Sequence, residues 1–359
     1  MTTSSSSYTY TYTRIYKEEA EQGPAASQVP PLIPPLIPPP PMLHEVALHC
    51  YNITQSYLAI NTEPLLNSTT RETIKHTQHA IQLSRRYLLQ DIFSRWDPFN
   101  GEISFSYNGG KDCQVLLIIY LGCLWELFMK SIQDSQYGVE YHRFPMDRVP
   151  TVYIDQDAMF ESAQEFLQES VDRYCLSLYE SPKDKQVGMA QAFRNFLAVH
   201  PETEAIVIGV RHSDPFGETL RPVQETDENW PRFFRLQPLL HWNLSEIWSF
   251  LLYSGEEVCG LYELGFTSLG SVNNTLRNPY LRVPEPVVGG SSLAPSEQHH
   301  SDFEWEIAHN YRGDGQAHCS RVSHGDLQAI REHDASQFHP GWYLTKDEWE
   351  RAGRLARRK

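Results

Sequence analysis

Residues 106–113 (SYNGGKDC) bring together backbone donors, a cation and a carboxylate within one short segment. Because Gly109 and Gly110 lack a Cβ atom, their N–H groups can approach an anion closely. Lys111 adds a cation on a flexible stem. The apolar residues 114–128 that follow predict a helix, whose N-terminus carries a partial positive charge. A short predicted strand precedes the glycines, so the segment is predicted to be a phosphate-binding loop.

The segment differs from two common phosphate-binding motifs. A Walker A loop requires G-x-x-x-x-G-K-[ST], but here Asp112 follows the lysine and no glycine stands five residues before Gly110. The dinucleotide fingerprint G-x-G-x-x-G is also absent. The alternative is a plain Gly-Gly turn with a solvated lysine and aspartate. The flanking strand and helix favour the nucleotide site over this alternative.

The composition restricts the partners of such a site. The 359 residues include 40% hydrophobic side chains, enough for one large domain or two small ones. A formal net charge of −15 argues against nucleic acid and against an anionic membrane surface as the main partner. Since a nucleotide is itself anionic, arginine or lysine side chains are expected near the loop to offset the charge of the whole chain.

Cysteines, apolar runs and the N-terminus indicate the compartment. The six cysteines are scattered without a C-x-x-C pair, which favours reduced thiols over disulfides or a zinc site. No apolar run is expected to reach the length of a membrane span. The N-terminus lacks the basic and apolar regions of a secretory signal. We therefore expect a cytoplasmic protein without a membrane partner.

Two regions differ in composition from the rest of the chain. Residues 1–42 contain a Ser/Thr/Tyr-rich start and a proline tract, and they predict a disordered, proline-rich tail. A role of this tail as ligand for an SH3-type partner is the weaker alternative. Residues 283–340 are rich in Gly, Ser, His and Asp and predict a mobile surface insertion. Residues 43–359 are predicted to form a single domain that includes this insertion.

Strands and helices are predicted to alternate along the first half of this domain. Helices are predicted at about 43–58, 71–94, 112–128, 158–179 and 184–198, and strands at about 102–107, 151–155 and 205–210. This order predicts an α/β fold with a doubly wound, mostly parallel sheet, helices on both faces, and a helical, loop-rich C-terminal part. Ligands of such sheets bind beyond the carboxyl ends of the strands, so the glycine turn and the segment after Val210 are expected to face one site.

Three further groups of residues could complete that site. Arg211 and Asp214 directly follow the third predicted strand, and an arginine there can bind a phosphate through two hydrogen bonds. Residues 229–242 interleave arginines with aromatic residues, which predicts either a packed loop or a wall for a flat ring. Near the C-terminus, Arg351 and Arg354 are expected on one face of a helix.

Five motifs in this order resemble the eukaryotic, fungal-type FAD synthases. They are S-Y-N-G-G-K-D-C, G-V-R-H-S-D-P, R-L-Q-P-L-L-H-W, L-Y-E-L-G-F-T-S-L-G and E-R-A-G-R. These FMN adenylyltransferases form a PAPS reductase-like branch of the pyrophosphate-loop proteins, with an adenine nucleotide alpha hydrolase-like fold. The resemblance covers residues 43–282 and 340–356. It implies that the substrates FMN and ATP react, with Mg²⁺, to give FAD and pyrophosphate.

The resemblance also implies roles for the residues at matching positions. The catalytic residues are then Asn108, Asp112, Asp214, Arg351 and Arg354. The ATP-binding residues are Ser106, Asn108, Gly109, Gly110, Lys111, Asp155 and Arg211. The FMN-binding residues are Asp214, Trp230 and Arg235. The metal ligands are not identified. Because a phosphate monoester has a second pKa of about 6, the attacking FMN phosphate needs no general base.

Functions of two other kinds stay open at the level of sequence. A sulfonucleotide reductase of the same superfamily needs a cysteine nucleophile, but Cys319, the last cysteine, lies in A-H-C-S rather than in an E-C-G-type motif. A tRNA-modifying enzyme of the superfamily is disfavoured by the negative charge of the chain. The non-enzymatic alternative is a flavin-nucleotide carrier, or a scaffold that is recruited through the proline tract.

Removal of residues 1–40 should leave FAD formation unchanged, because a segment of this composition cannot bury enough apolar surface to join the fold. The rates of FAD formation by the truncated chain and by the full chain test this expectation. A large loss of activity on truncation would show that the tail has a structural role.

Overall fold

A six-stranded sheet forms the centre of the fold. The computed structural model describes residues 40–63, 68–133, 143–154, 157–183, 187–284 and 318–355. Within them, the strands are β1 (Ile103–Ser106), β2 (Val149–Tyr153), β3 (Leu176–Glu180), β4 (Ala205–Val207), β5 (Val223–Glu225) and β6 (Phe234–Leu236). They lie in the order β3-β2-β1-β4-β6-β5. Every neighbouring pair is parallel except β5 and β6, so the predicted mostly parallel sheet is confirmed.

Helices precede, connect and follow these strands. They are α1 (Leu43–Leu58), α2 (Ser68–Arg86), α3 (Lys111–Gln133), α4 (Glu161–Arg173), α5 (Met189–Val199), α6 (Leu244–Ser254), α7 (His324–His333) and α8 (Asp347–Glu350). A π-helical turn at Tyr87–Ile92 continues α2. Single 3₁₀ turns lie at Pro98–Asn100, Gly260–Tyr262, Val272–Asn274, Pro279–Leu281 and Gly341–Tyr343. The part of the chain after β6 is thus helical and loop-rich, as predicted.

The side chains of β4 alternate between two apolar cores. Ala205 and Val207 belong to the main core, which also contains most of α3. Ile206 belongs to a smaller core together with Phe196 of α5 and Phe233. Successive residues of a strand point to opposite faces of a sheet. The sheet is therefore covered by α3 on one face and by α5 on the other, which is the doubly wound arrangement.

Strand β3 was not predicted from the sequence. The predicted helix at 158–179 ends at Arg173, and Cys175 has φ 52°, a left-handed conformation that stops the helix. The next residues pair in parallel with β2, beginning with Leu176 opposite Val149. Helical spacing from the apolar residues of α4 favours a helix through Tyr174 and Leu178, but both residues lie beyond its end. The prediction was wrong because pairing with a neighbouring strand outweighed the helical spacing of these apolar residues.

The strand order reverses direction between β1 and β4. The chain passes from β1 outward to β2 and β3, and then returns to the other side of β1 with β4. At this point the segment after β4 lies against the start of α3. A Cβ atom on Gly209 would be 3.0 Å from the N and Cα atoms of Cys113, so glycine permits this approach. The loops after β1 and β4 consequently meet at the edge where doubly wound sheets bind ligands.

Helix α3 is the central helix of the main core. Every residue from Cys113 to Leu124 is buried, α1 packs along the helix, and the Tyr120 ring lies 5.4 Å from the ring of Phe105 in β1. By length and composition, α3 is also the one helix in the described ranges that could cross a membrane, contrary to the expectation from the sequence. Its burial by α1 and the sheet accounts for this apolar composition.

Part of the predicted surface insertion forms a helix. Helix α7 begins after Ser323, whose hydroxyl accepts a hydrogen bond from the Asp326 N–H at 3.1 Å. The Asp326 carboxylate in turn accepts from the N–H and hydroxyl of Ser162, at 2.8 and 2.6 Å, at the start of α4. Within the predicted insertion, His324–His333 are therefore helical, because these contacts support a short helix that composition alone does not favour. Residues 285–317, Asp155 and residues 1–39 of the predicted tail lie outside the described residues.

Substitution of Gly122 by valine should reduce the free energy of unfolding by about 1–3 kcal/mol, because extra atoms in a close contact force the backbones apart. A Cβ atom on Gly122 would already lie 3.2 Å from the N and Cα atoms of Tyr51, where α1 and α3 touch. Urea unfolding measures the change. The control is Ile132→Val, at a position of α3 that is 51% exposed. Equal free energies of unfolding of the two variants would show that α1 and α3 can move apart without loss of stability.

Candidate active site

The glycine turn after β1 includes a left-handed residue. Gly109 has φ 74°, in the left-handed region that favours glycine. The Gly110 N–H donates a hydrogen bond to Asn108 Oδ1 at 2.9 Å, and the Lys111 N–H donates to Tyr262 Oη at 3.1 Å. The Gly110 N–H, which was expected to bind phosphate, is therefore bound here to a side-chain amide, and the neighbouring Lys111 N–H is bound to a tyrosine hydroxyl.

The Lys111 side chain belongs to a buried network of ion pairs. It is 2% exposed, and its Nζ lies 2.8 Å from Asp112 Oδ2 and also pairs with Glu350. Burial alone would lower the pKa of Lys111, but the charges of Asp112 and Glu350 raise this pKa above its ordinary value. Lys111 is therefore a charged group held by two carboxylates, and not the freely moving cation that the sequence suggested.

Arg211 is the second cation of the network. Its side chain is fully buried, its Nη1 lies 2.8 Å from Asp347 Oδ1, and its Nη2 pairs with Glu350. Its Nε lies 2.8 Å from Asp112 Oδ1, which is the distance of an ion pair without the geometry of a hydrogen bond. Burial opposes the charge, but the carboxylates raise the pKa of Arg211 well above its ordinary value. Arg211 thus joins the start of α3 to the C-terminal helix α8.

Asp214 closes the loop that follows β4. Its Oδ2 accepts a hydrogen bond from the Arg211 N–H at 3.0 Å. Burial raises the pKa of Asp214 above its ordinary value, although the charge of Arg211 opposes this shift. The ionised form of this carboxyl group is therefore less favoured, relative to its neutral form, than it would be in water.

The network as a whole has a negative formal charge. Two cations face four carboxylates, which gives a formal charge of −2. The members are Lys111, Arg211, Asp112, Asp214, Asp347 and Glu350. The two cations do lie beside the glycine turn, as expected. However, carboxylates of the protein already compensate them, so they do not offset the negative charge of the chain.

Three residues of this site were missed by the sequence analysis. Glu350 and Tyr262 stand inside two of the motifs quoted above, E-R-A-G-R and L-Y-E-L-G-F-T-S-L-G. Asp347 lies three residues before Glu350, on the same side of α8. Its Oδ1 also accepts from the Leu244 N–H at 3.0 Å, which attaches the start of α6 to the network. The available signal was a pair of carboxylates one helical turn apart, next to cations that needed partners.

Trp230 and Arg235, the predicted flavin residues, lie in the β5–β6 hairpin. The Trp230 ring centroid is 5.8 Å from that of Phe193 in α5, and an Arg235 Nη2 lies 3.5 Å from Asp227 Oδ1. Strand β6 runs parallel to β4 and starts beside the first residue of β4. The turn that holds Trp230 precedes β6, whereas Asp214 follows β4. The predicted flavin residues are thus placed toward opposite ends of these two strands.

The two C-terminal arginines do not share a helical face. Helix α8 ends at Glu350, and residues 351–353 form a turn. Arg354 then forms an antiparallel bridge with Thr275. The Arg351 residue is exposed, and Arg354 is half-buried. The prediction of one shared face is wrong because pairing with Thr275 replaces the next helical turn.

Ser106 and a possible metal site are the remaining points of the prediction. Ser106 is the last residue of β1, pairs with Val152 of β2 and is half-buried at the carboxyl edge. Among the residues that the structure describes, no group of three or more His, Cys, Asp or Glu side chains is arranged to hold a metal ion.

The chain resembles several known proteins. Residues 102–277 match a family model described as a phosphoadenosine phosphosulfate reductase domain. The flavin adenine dinucleotide synthase of Saccharomyces cerevisiae is 51% identical over 320 residues, which cover 87% of this chain and 99% of that protein. A probable FAD synthase of Schizosaccharomyces pombe is 32% identical over 219 residues, which cover 61% of this chain and 76% of that protein.

Solved structures show the same similarity. The FMN adenylyltransferase of Candida glabrata in complex with FAD and inorganic pyrophosphate matches with a TM-score of 0.75 and 50% identity, over 87% of this chain and 99% of that chain. The same enzyme with FMN and the ATP analogue AMPCPP gives 0.74 and 48%, over 88% and 98%. A yeast FAD synthetase in complex with FAD gives 0.73 and 52%, over 88% and 100%.

Replacement of Lys111 by methionine should reduce the free energy of unfolding by about 3–5 kcal/mol, because it leaves buried carboxylates without their partner. Urea unfolding of the purified variant measures this change. The double variant Lys111→Met/Glu350→Gln removes one charge of each sign, so it should be more stable than Lys111→Met alone.

Lys346→Met is the matched control, since Lys346 is exposed and lies over the Trp349 ring at 4.1 Å. The free energy of unfolding of this control should fall by no more than about 1 kcal/mol. A Lys111→Met variant as stable as this control would contradict the view that the buried ion pairs hold the loop, the sheet and α8 together.

Proposed function

The chain belongs to the FAD synthase family, and from this premise we propose that it is an FMN adenylyltransferase. It transfers AMP from ATP to the phosphate of FMN and gives FAD and pyrophosphate. The proposal is supported by 51% identity to a FAD synthase over 87% of the chain. It is also supported by similarity to an enzyme whose structure holds FMN together with an ATP analogue.

One feature of the fold supports the proposal independently of the similarity to known proteins. The turn after β1 and the loop after β4 meet at the switch point of the sheet, where Asp112 at the start of α3 pairs with Arg211. Switch points are where doubly wound sheets bind nucleotides. A glycine turn at the N-terminus of a helix of 23 residues suits the phosphates of ATP.

We propose that the ATP phosphates bind the N–H groups of Gly110 and Lys111 by exchange. In the structure these donors are bound to side-chain oxygens of Asn108, which is exposed, and of Tyr262, which is buried. A phosphate oxygen that takes their place restores both bonds. The released Asn108 amide and Tyr262 hydroxyl can then donate to the phosphate themselves, so no donor is left unpaired.

The chemistry is a direct transfer. A phosphate oxygen of FMN forms a bond to the α-phosphorus of ATP, and the bond to the pyrophosphate group breaks. The work of the protein is to align two anions and to stabilise the charge of the transition state. We assign alignment to the glycine turn and to Asp214. We assign charge stabilisation at the reacting phosphates to the C-terminal arginines.

A bound Mg²⁺ ion would suit the negative charge of the site. The network carries a formal charge of −2 and would repel ATP. When bound, Mg²⁺ supplies positive charge to the phosphates, usually with water and one or two carboxylates as further ligands. Asp112, Asp214 and Asp347 are partly exposed and are the carboxylates that we propose for this contact.

We also propose a cytoplasmic location for the reaction. All six cysteines of the chain are free thiols. This state is typical of a reducing compartment. Location of the tagged chain by fluorescence microscopy tests this proposal.

Incubation of the purified chain with ATP, FMN and Mg²⁺ should produce FAD and pyrophosphate in equal amounts, measured by chromatography and a pyrophosphate assay. Arg354→Ala should lower the rate of FAD formation by about 100-fold, because a charged donor at the reacting phosphates is lost. Arg331→Ala, at an exposed position of α7, is the control and should keep the normal rate.

The two alternatives give other results in the same assay. A carrier binds FAD but forms neither product, so binding without turnover would contradict the proposal. A reductase consumes a sulfonucleotide and requires a thiol. Activity of that kind, lost on thiol alkylation, would replace FAD synthesis as the function of the site.

A further inference from the structure

The guanidinium group of Arg354 lies directly on the backbone of Gly270. A Cβ atom on Gly270 would lie 2.0 Å from Nη1, 2.2 Å from Cζ and 2.2 Å from Nη2 of Arg354. The three distances are nearly equal, so the Cα–H direction of the glycine points at the flat face of the guanidinium. Such a contact is possible only where the residue has no side chain.

The conformation of Gly270 does not itself require glycine. Its φ lies outside the left-handed region, in contrast to that of Gly109 or Gly265. An alanine could therefore adopt the same backbone conformation without strain. The space taken by the guanidinium is the remaining physical reason for glycine at this position.

The backbones around the two residues are fixed to each other. Thr275 and Arg354 form an antiparallel bridge, and the Leu276 N–H donates to Gly353 O at 2.8 Å. On the other side, the Val272 N–H donates to Ala158 O at 2.9 Å, which attaches the segment to the chain before α4. The platform under the guanidinium is thus held by hydrogen bonds at both ends.

We propose that Gly270 is a positioning residue for the reaction, which acts through Arg354. This inference rests on the proposed function, in which Arg354 binds a reacting phosphate. A guanidinium binds phosphate best when its plane is oriented, because two parallel N–H donors must point at two oxygens. The bare backbone of Gly270 fixes this plane before the substrates bind, so less side-chain freedom is lost on binding.

The substitution Gly270→Ala separates this role from stability. The obstructing atoms belong to the end of a flexible side chain, so the guanidinium can move away at little cost to the fold. We expect the melting temperature to stay within about 2 °C of the wild type, while kcat/KM for FAD formation falls at least about tenfold. The control is Gly188→Ala, where a Cβ atom would meet nothing within 4 Å.

A double-variant cycle tests whether the effect passes through Arg354. In the Arg354→Ala background, Gly270→Ala should cause no further loss, because the group that it displaces is gone. The inference is overturned if Gly270→Ala behaves like Gly188→Ala, or if the two losses multiply. Absence of FAD formation by the wild type would instead overturn the proposed function, and with it this role, so the two failures are distinguishable.

Discussion

The buried ion network is the interaction on which the rest of the site depends. Lys111 and Arg211 are 2% and 0% exposed and share Glu350 between them. These three residues come from the start of α3, the loop after β4 and the C-terminal helix, and the network joins them. Burial of a charge is costly, and loss of one partner costs more because the others remain buried. The network therefore favours one arrangement of the loops over others of similar compactness.

The same network determines how the site responds to charge. Its carboxylates neutralise both cations and leave a formal charge of −2, in a chain whose net charge is −15. In the reaction that we propose, the anionic substrates would therefore rely on backbone N–H groups, on the C-terminal arginines and on a metal ion. These are short-range contacts, which act at the site without a favourable field from the whole molecule.

Two carboxylates of the network have opposite pH dependence. Burial would raise the pKa of Asp112, but Arg211 and Lys111 lower it below its ordinary value. Its stabilising contribution is therefore present above the unfolded-state pKa of about 3.9 and is lost as the pH falls through the folded-state pKa. Burial raises the pKa of Asp214, so its contribution to stability decreases as the pH rises from about 3.9 through the folded-state pKa.

The local sequence determined the glycine turn, the strands β1, β2 and β4, and the family. These features depend on neighbouring residues and on the order of motifs. Gly109 needs a left-handed φ, and the apolar run of β4 suits a buried strand. Only the tertiary structure decided that Lys111 and Arg211 would be enclosed by Glu350, more than 130 positions away in sequence. It also placed Arg354 on Gly270. A residue type shows which partners it can take, but the partner is chosen by packing of distant segments, which no local pattern records.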